Sequence, residues 1–283
     1  MTEHVLVWHP QVPGEAPAGG DDQLRLIGMP TGLVRPARQA LAANQMTAAA
    51  RAVLDEAVAA LHGHAESPGY PTRISFAALD DVDKATVADI LGEGDVWAKV
   101  GIADTYFRIV ESVLAGVWRV EASSAGGATI EWIEIGAVPA SILTAAAELP
   151  RAAIEIPTKL PQGAMNVMPL LTELQERSAA YLPGGENHVI NFTLLPITEV
   201  DAQVLTSVMG QIPLVVRSGG YGSSRVFATG LRHVWAVQYI NSMGNVILDT
   251  LEIGGVPVAV LAATEDFVDS AERLEEIMQA FTS

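Results

Sequence analysis

The chain has 283 residues, 49% hydrophobic and 17% charged, enough apolar material for two packed domains of roughly 100–150 residues each and too much for a disordered chain. A net charge of −17 argues against nucleic acid or an anionic membrane surface as partner, since both require basic patches, and favours a cationic or polar protein partner. With no cysteine the chain can form no disulfide and can ligate neither zinc nor an iron–sulfur cluster through its own sulfur.

The N-terminus, Met1-Thr2-Glu3-His4, is acidic and then proline-rich, and no run approaches the ~18 apolar residues of a membrane span, so a cytoplasmic protein without membrane insertion is expected. Pro10, Pro13, Pro17, Pro30 and Pro36 among glycines predict an extended arm over 1–37. A helix is predicted over 38–62 from its Ala, Leu, Arg, Gln and Met content, with Leu41, Val53, Val58 and Leu61 for a buried stripe. A short strand at Ile74–Phe76 and a helix at Asp81–Leu91 follow, the latter with an acidic first turn and ended by Gly92. Strands are then predicted at 96–100, 107–113, 116–122 and 129–135, with a hairpin turn at Ser123–Gly127.

The second half repeats this order. Ile74-Ser75-Phe76 recurs as Ile190-Asn191-Phe192, Gly92 as Gly210, Arg108-Ile109-Val110 as Arg225-Val226-Phe227, and Val117-Trp118 as Val234-Trp235. Glu134-Ile135-Gly136-Ala137-Val138-Pro139 recurs as Glu252-Ile253-Gly254-Gly255-Val256-Pro257. The offsets are 116 (190 − 74), 118 (210 − 92), 117 (225 − 108) and 118 (252 − 134), so the copies differ only by loop-sized insertions. Two copies are too few for a solenoid. The expected fold is therefore α+β: two pseudo-symmetric repeats, each a mostly antiparallel sheet with helices packed on one face, arranged as an internal dimer. The boundaries are placed at 1–37 for the arm, 38–150 and 151–262 for the repeats, and 263–283 for a C-terminal helix. In that helix, with Thr264 as cap, Phe267, Ala271, Leu274, Met278 and Phe281 form one apolar stripe.

Catalytic and ligand-binding patterns are weak. The loop Ser218-Gly219-Gly220-Tyr221-Gly222-Ser223-Ser224 has the composition of a phosphate cradle, but it runs from strand to strand, whereas such cradles need a helix N-terminus. Glu186 and His188 form a conceivable acid–base pair with no nucleophile or orienting group nearby. His62 and His64 end a helix and lack a carboxylate to complete a metal site; no metal, cofactor or enzymatic activity is expected. Arg108 with Glu131, and Arg225 with Asp249, read as a structural ion pair repeated by symmetry. The copies diverge most in the second, at Gly184-Gly185-Glu186, Gly219–Gly222, Arg232-His233 and Gln238–Asn241, which places a binding surface there. Its candidate anchors are Tyr221, Arg232, Tyr239, Asn241, Glu186 and His188, while Trp235, matched by Trp118, is assigned to the core.

The run Glu186-Asn187-His188-Val189-Ile190-Asn191-Phe192-Thr193-Leu194-Leu195-Pro196, with Gly219–Gly222, Trp235, Tyr239-Ile240-Asn241-Ser242-Met243 and Ile247–Ile253, resembles the C-terminal region of the HupH/HyaF/HoxQ hydrogenase expression proteins. The likeness is dense from about Met165 to Pro257. That resemblance implies an accessory chaperone in maturation of nickel–iron uptake hydrogenase, acting on the iron–sulfur small subunit before export, with other hydrogenase maturation proteins as further partners. The rival expectations are a scaffold bridging maturation factors and a small-molecule binder or enzyme using loop 218–224.

Overall fold

The computed structural model describes residues 46–281 apart from 125, 128 and 220–222. The expected arm and the start of the helix expected at 38 lie outside them. The first repeat contains α1 (Ala48–Glu66), β1 (Thr72–Ser75), α2 (Asp81–Leu91), β2 (Val96–Ile102), β3 (Thr105–Glu111), β4 (Val117–Ser124), β5 (Ile130–Ile135) and α3 (Ala140–Glu148). The second contains α4 (Val167–Ala180), β6 (His188–Asn191), α5 (Glu199–Met209), β7 (Gln211–Ser218), β8 (Ser223–Thr229), β9 (Val234–Ile240), β10 (Val246–Ile253) and α6 (Phe267–Ala280).

The two repeats share one sheet. Its ten strands run in the order β1-β5-β4-β3-β2-β7-β8-β9-β10-β6, which is one five-strand order read outward in both directions from the β2–β7 seam. The seam is antiparallel, with Val96 opposite Ser218, Ala98 opposite Val216 and Val100 opposite Leu214. Each residue is 118 positions from its own equivalent (214 − 96, 216 − 98, 218 − 100), so a pseudo-two-fold axis passes through the Ala98–Val216 pair, perpendicular to the sheet. The expected pair of sheets is thus one structure, because β2 and β7 satisfy each other's backbone groups and leave no open edge at the centre.

Helices lie on both faces. In the second repeat α4 and α5 bury Leu170, Leu171, Leu174, Leu205 and Met209 against Val215, Phe227, Ala236, Leu251 and Ile253, the residues of one strand parity. The other parity, Ala98, Leu214, Val216, Val226 and Val237, belongs to the larger core with Ile142 and Ala145 of α3. α3 has no counterpart among the expected elements. It begins directly after Pro139, at the repeat position where the second copy makes only a 3-10 turn, Val258–Val260.

Both repeats end the second helix on a glycine with φ near +60°, Gly92 at 62° and Gly210 at 64°. The C-terminal stripe is buried as expected at Phe267, Ala271, Leu274 and Met278, with Phe281 partly covered, and α6 packs along α1. Thr264 does not cap it: 264–266 form a 3-10 turn and the α-helix starts at Phe267 without a side-chain cap bond.

Candidate functional site

The β3–β4 and β8–β9 turns are built alike, and their difference creates a cleft. In the first, the Ser112 hydroxyl donates to the Leu114 carbonyl at 2.9 Å, and the Gly136 N–H reaches the carbonyl of Gly116 at 3.0 Å. In the second, the Thr229 hydroxyl donates to the Leu231 carbonyl at 3.1 Å, and the Gly254 N–H reaches the carbonyl of His233 at 2.7 Å. Gly116 and His233 are therefore equivalent (233 − 116 = 117), and both adopt the left-handed backbone, at φ 78° and 62°. Glycine bears that geometry at no steric cost, whereas histidine is strained by it.

The Phe267 ring covers Gly116 so closely that a Cβ there would overlap it. At His233 the same direction is taken by its own side chain, which lines a cleft of about 230 Å³ between Leu143, Ala146 and Ala147 of α3, Tyr181 and Pro183 after α4, and Gly254–Val256 after β10. Trp235 forms its floor, 3% exposed, in the core role expected for it. The Tyr181 and His233 rings lie 4.9 Å apart at 52°, a tilted aromatic wall. Burial, and then the charge of Arg232, push the His233 pKa below its ordinary 6.5, which keeps the ring neutral and the wall uncharged at neutral pH. The cleft's described lining is apolar apart from Tyr181, Thr229 and His233 and includes no carboxylate, which suits capture of a side chain or two.

At the rim, Asn187 closes the loop after β10: its Oδ1 accepts from Gly255 N–H at 2.8 Å and its Nδ2 donates to the Gly255 carbonyl at 3.3 Å and to Glu252 at 3.5 Å. Burial raises the Glu252 pKa and the Asn187 bond lowers it, with a net rise. Burial and then the Glu252 charge raise that of Tyr239.

The sequence-predicted residues do not form one cluster. Arg232 sits beside His233 at the base of β9, its carbonyl accepting from the Ser178 hydroxyl at 2.6 Å. Tyr239 lies near the far end of the same strand, on the face of Trp235. Asn241 holds the β9–β10 turn, its Oδ1 accepting from the N–H groups of Met243 and Asn245, each at 3.0 Å. His188 pairs with Glu173 of α4 at 3.0 Å, so it is not the partner of Glu186, which is exposed. Tyr221 lies outside the described residues; the loop's Gly219 donates to the Asp95 carbonyl at 2.7 Å, and no helix N-terminus follows it.

The expected repeated ion pair is also different. Arg108 faces Glu121, at 3.7 Å, because β4 and not β5 neighbours β3. The second copy replaces Glu121 by Gln238 (238 − 121 = 117), which donates to Asp249 at 3.3 Å. His233 and Tyr181 were not among the expected anchors; the signal for them is a histidine at a repeat position where the first copy requires glycine. Among the described residues no three His, Asp or Glu side chains group as metal ligands, and no helix is long and apolar enough to cross a membrane.

The C-terminal conserved region of the HupH hydrogenase expression protein matches the chain twice, over residues 47–160 and 164–281. Hydrogenase expression/formation protein HupH of Rhizobium leguminosarum bv. viciae is 40% identical over 219 residues, 77% of this chain and 76% of that one. The protein of the same description from Rhodobacter capsulatus is 38% identical over 271 residues, 95% and 94% of the two chains. The solved structure of hydrogenase expression protein HupH from Thiobacillus denitrificans, 26% identical, aligns over 42% of this chain and 99% of that one with a TM-score of 0.39.

Proposed function

The chain belongs to the HupH family of hydrogenase expression proteins, and from that premise we propose that it is an accessory chaperone in maturation of nickel–iron uptake hydrogenase, holding the immature iron–sulfur small subunit through its second repeat. The observation that carries this reading is the open cleft over His233. The first repeat has the equivalent turn covered by Phe267 of α6, whereas the second leaves apolar and aromatic walls open to an inserted side chain.

A cleft of about 230 Å³ is below the roughly 300–1,000 Å³ of sites that enclose small-molecule ligands, but it has room for an anchoring residue of a protein client. Trp235, Tyr181 and the neutral His233 supply rigid aromatic walls. Arg232 precedes His233 just before β9, and Tyr239 lies toward the other end of that strand on the face of Trp235. The client's clusters would be held by contacts with the surrounding subunit, since this chain has no cysteine to offer them.

Affinity capture on this protein from cells making the hydrogenase tests the proposal. Recovery of the newly made small subunit is expected. Recovery of the large subunit alone would overturn the choice of client, and turnover of a small molecule with neither subunit bound would overturn the chaperone reading.

A further inference from the structure

In the first repeat Glu134 stands in a cross-strand row with Trp118 of β4 on one side and Arg73 of β1 on the other. In the second repeat the same row reads Trp235, Glu252, Val189. Arg73 and Val189 are equivalent (189 − 73 = 116), so the second copy keeps the carboxylate and loses the cation. The Arg73 guanidinium lies 3.9 Å over the Trp132 ring, whose indole N–H donates to Glu134 at 2.7 Å. Thr250 stands where that tryptophan would be, so cation and indole are missing together.

Glu252 is half-buried, faced by Tyr239 of β9 and touched by the Asn187 amide at 3.5 Å. Among the described residues no lysine or arginine pairs with it. A carboxylate taken out of water is costly unless a cation or good hydrogen bonds answer it, and the raised pKa of Glu252 reports that cost. The group lies beside the cleft. Trp235, its neighbour across the strands, is the cleft floor, and Asn187 bonds both Glu252 and Gly255 of the cleft wall. On its other side Val189 is 50% exposed, so the position of the missing cation opens to solvent.

Given that the cleft seats a client side chain, as proposed above, we infer that Glu252 determines its specificity by taking a lysine or arginine from the same client segment. The cation stands where the first repeat has Arg73. Neighbouring strands lie about 4.8 Å apart, so the row from Trp235 to Val189 spans about 10 Å, and two residues of extended chain cover about 6.6 Å of it. The segment that fits is an apolar residue with a basic one two positions away. A net charge of −17 favours the approach of such a segment.

Two variants of the full chain test this. Glu252→Gln removes the charge, and Val189→Arg returns the first repeat's cation and occupies the carboxylate from within. Each should capture the newly made small subunit about tenfold or more weakly than the parent, equivalent to about 1.4 kcal/mol, while Glu252→Gln melts at a higher temperature at pH 7. The labelled, capped peptides Phe-Ala-Arg and Phe-Ala-Gln are the probes for fluorescence anisotropy: the parent should prefer the first, and both variants should bind the two alike. Capture by the variants equal to the parent's would overturn the inference and leave the chaperone reading standing. If the parent captures no small subunit, the chaperone reading fails and the peptides decide, a parent that binds both alike overturning the inference too. A lower melting temperature for Glu252→Gln would also overturn it, because a cation of the chain itself would then already answer the carboxylate. Val189→Arg serves alone if Glu252→Gln fails to fold.

Discussion

Gly116 and His233 occupy the same turn of the two repeats with the same left-handed backbone, φ 78° and 62°, and only the first is covered by Phe267. The sheet is symmetric and its plugging is not. The last helix of the chain crosses to the first repeat and seats a ring on Gly116, while α3 crosses to the second with the smaller Leu143, Ala146 and Ala147 and leaves a cleft.

Substitutions at the two positions should therefore have unequal effects. Gly116→Ala meets both a left-handed backbone, which costs an L-residue about 1–2 kcal/mol, and the Phe267 ring, and should destabilise the protein by more than that. His233→Gly relieves the same strain and loses the Tyr181 contact, so its stability should stay within about 1 kcal/mol of the parent. Chemical denaturation of both variants checks the contrast; equal losses would contradict it.

Glu134 and Glu252 are equivalent carboxylates with unequal support. Glu134, 3% exposed, accepts from the Trp132 indole and the Ala140 N–H, each at 2.7 Å, whereas Glu252 has Thr250 in place of that tryptophan and a 3.5 Å contact to Asn187. Glu134→Gln should cost about 1–3 kcal/mol. Glu252 has a raised folded pKa, so its charged form opposes folding once pH exceeds the ordinary 4.5, and fully above the folded pKa. Glu252→Gln should thus raise the melting temperature at pH 7, and the gain should vanish below pH 4.5, where the parent carboxyl is protonated in both states. A gain independent of pH would rule out this cause.

Asp201 joins the starts of α4 and α5. Burial pushes its pKa up, but bonds from the N–H groups of Thr198, Met165 and Asn166 and from the Thr198 hydroxyl, at 2.7–3.0 Å, outweigh burial and lower it. A folded pKa below the ordinary 3.8 means that the carboxylate's contribution is present above that value and lost as pH falls through the folded pKa. Asp201→Ala, which orphans several donors, should cost on the order of 3 kcal/mol at neutral pH and flatten the acid limb of the stability curve. An unchanged acid limb would exclude Asp201 as its source.

Leu274, fully buried where α6 meets the main core, gives a control away from the cleft. Leu274→Ala should cost about 2–5 kcal/mol in denaturant unfolding. Stability equal to the parent would show that α6 is not docked as described.

The repeat, the strand sequence and the apolar stripe of α6 were legible because each is a local pattern with a fixed period or offset. The merging of the sheets was not, since nothing in β2 or β7 distinguishes a seam strand from an edge strand; the pairing of Ala98 with Val216 is a long-range choice. The polar residues were legible as types and not as roles. Asn241 serves its own turn, and His188 is taken up by Glu173 on a helix that follows a different sequence logic. Arg108 found Glu121 instead of Glu131 because strand order, which composition does not encode, decides who is opposite whom. His233 carried the useful signal: a side chain where the other copy needs glycine.

The central claim is that the second repeat's cleft seats a client side chain, and Ala146→Phe tests it most directly. Ala146 lines the cleft from α3 and is partly exposed, so a ring there fills the space without opening the core. Capture of the newly made small subunit by this variant and by the parent, at matched thermal stability, should differ by about thirtyfold or more, equivalent to roughly 2 kcal/mol. Undiminished capture by a stably folded Ala146→Phe protein would contradict the account.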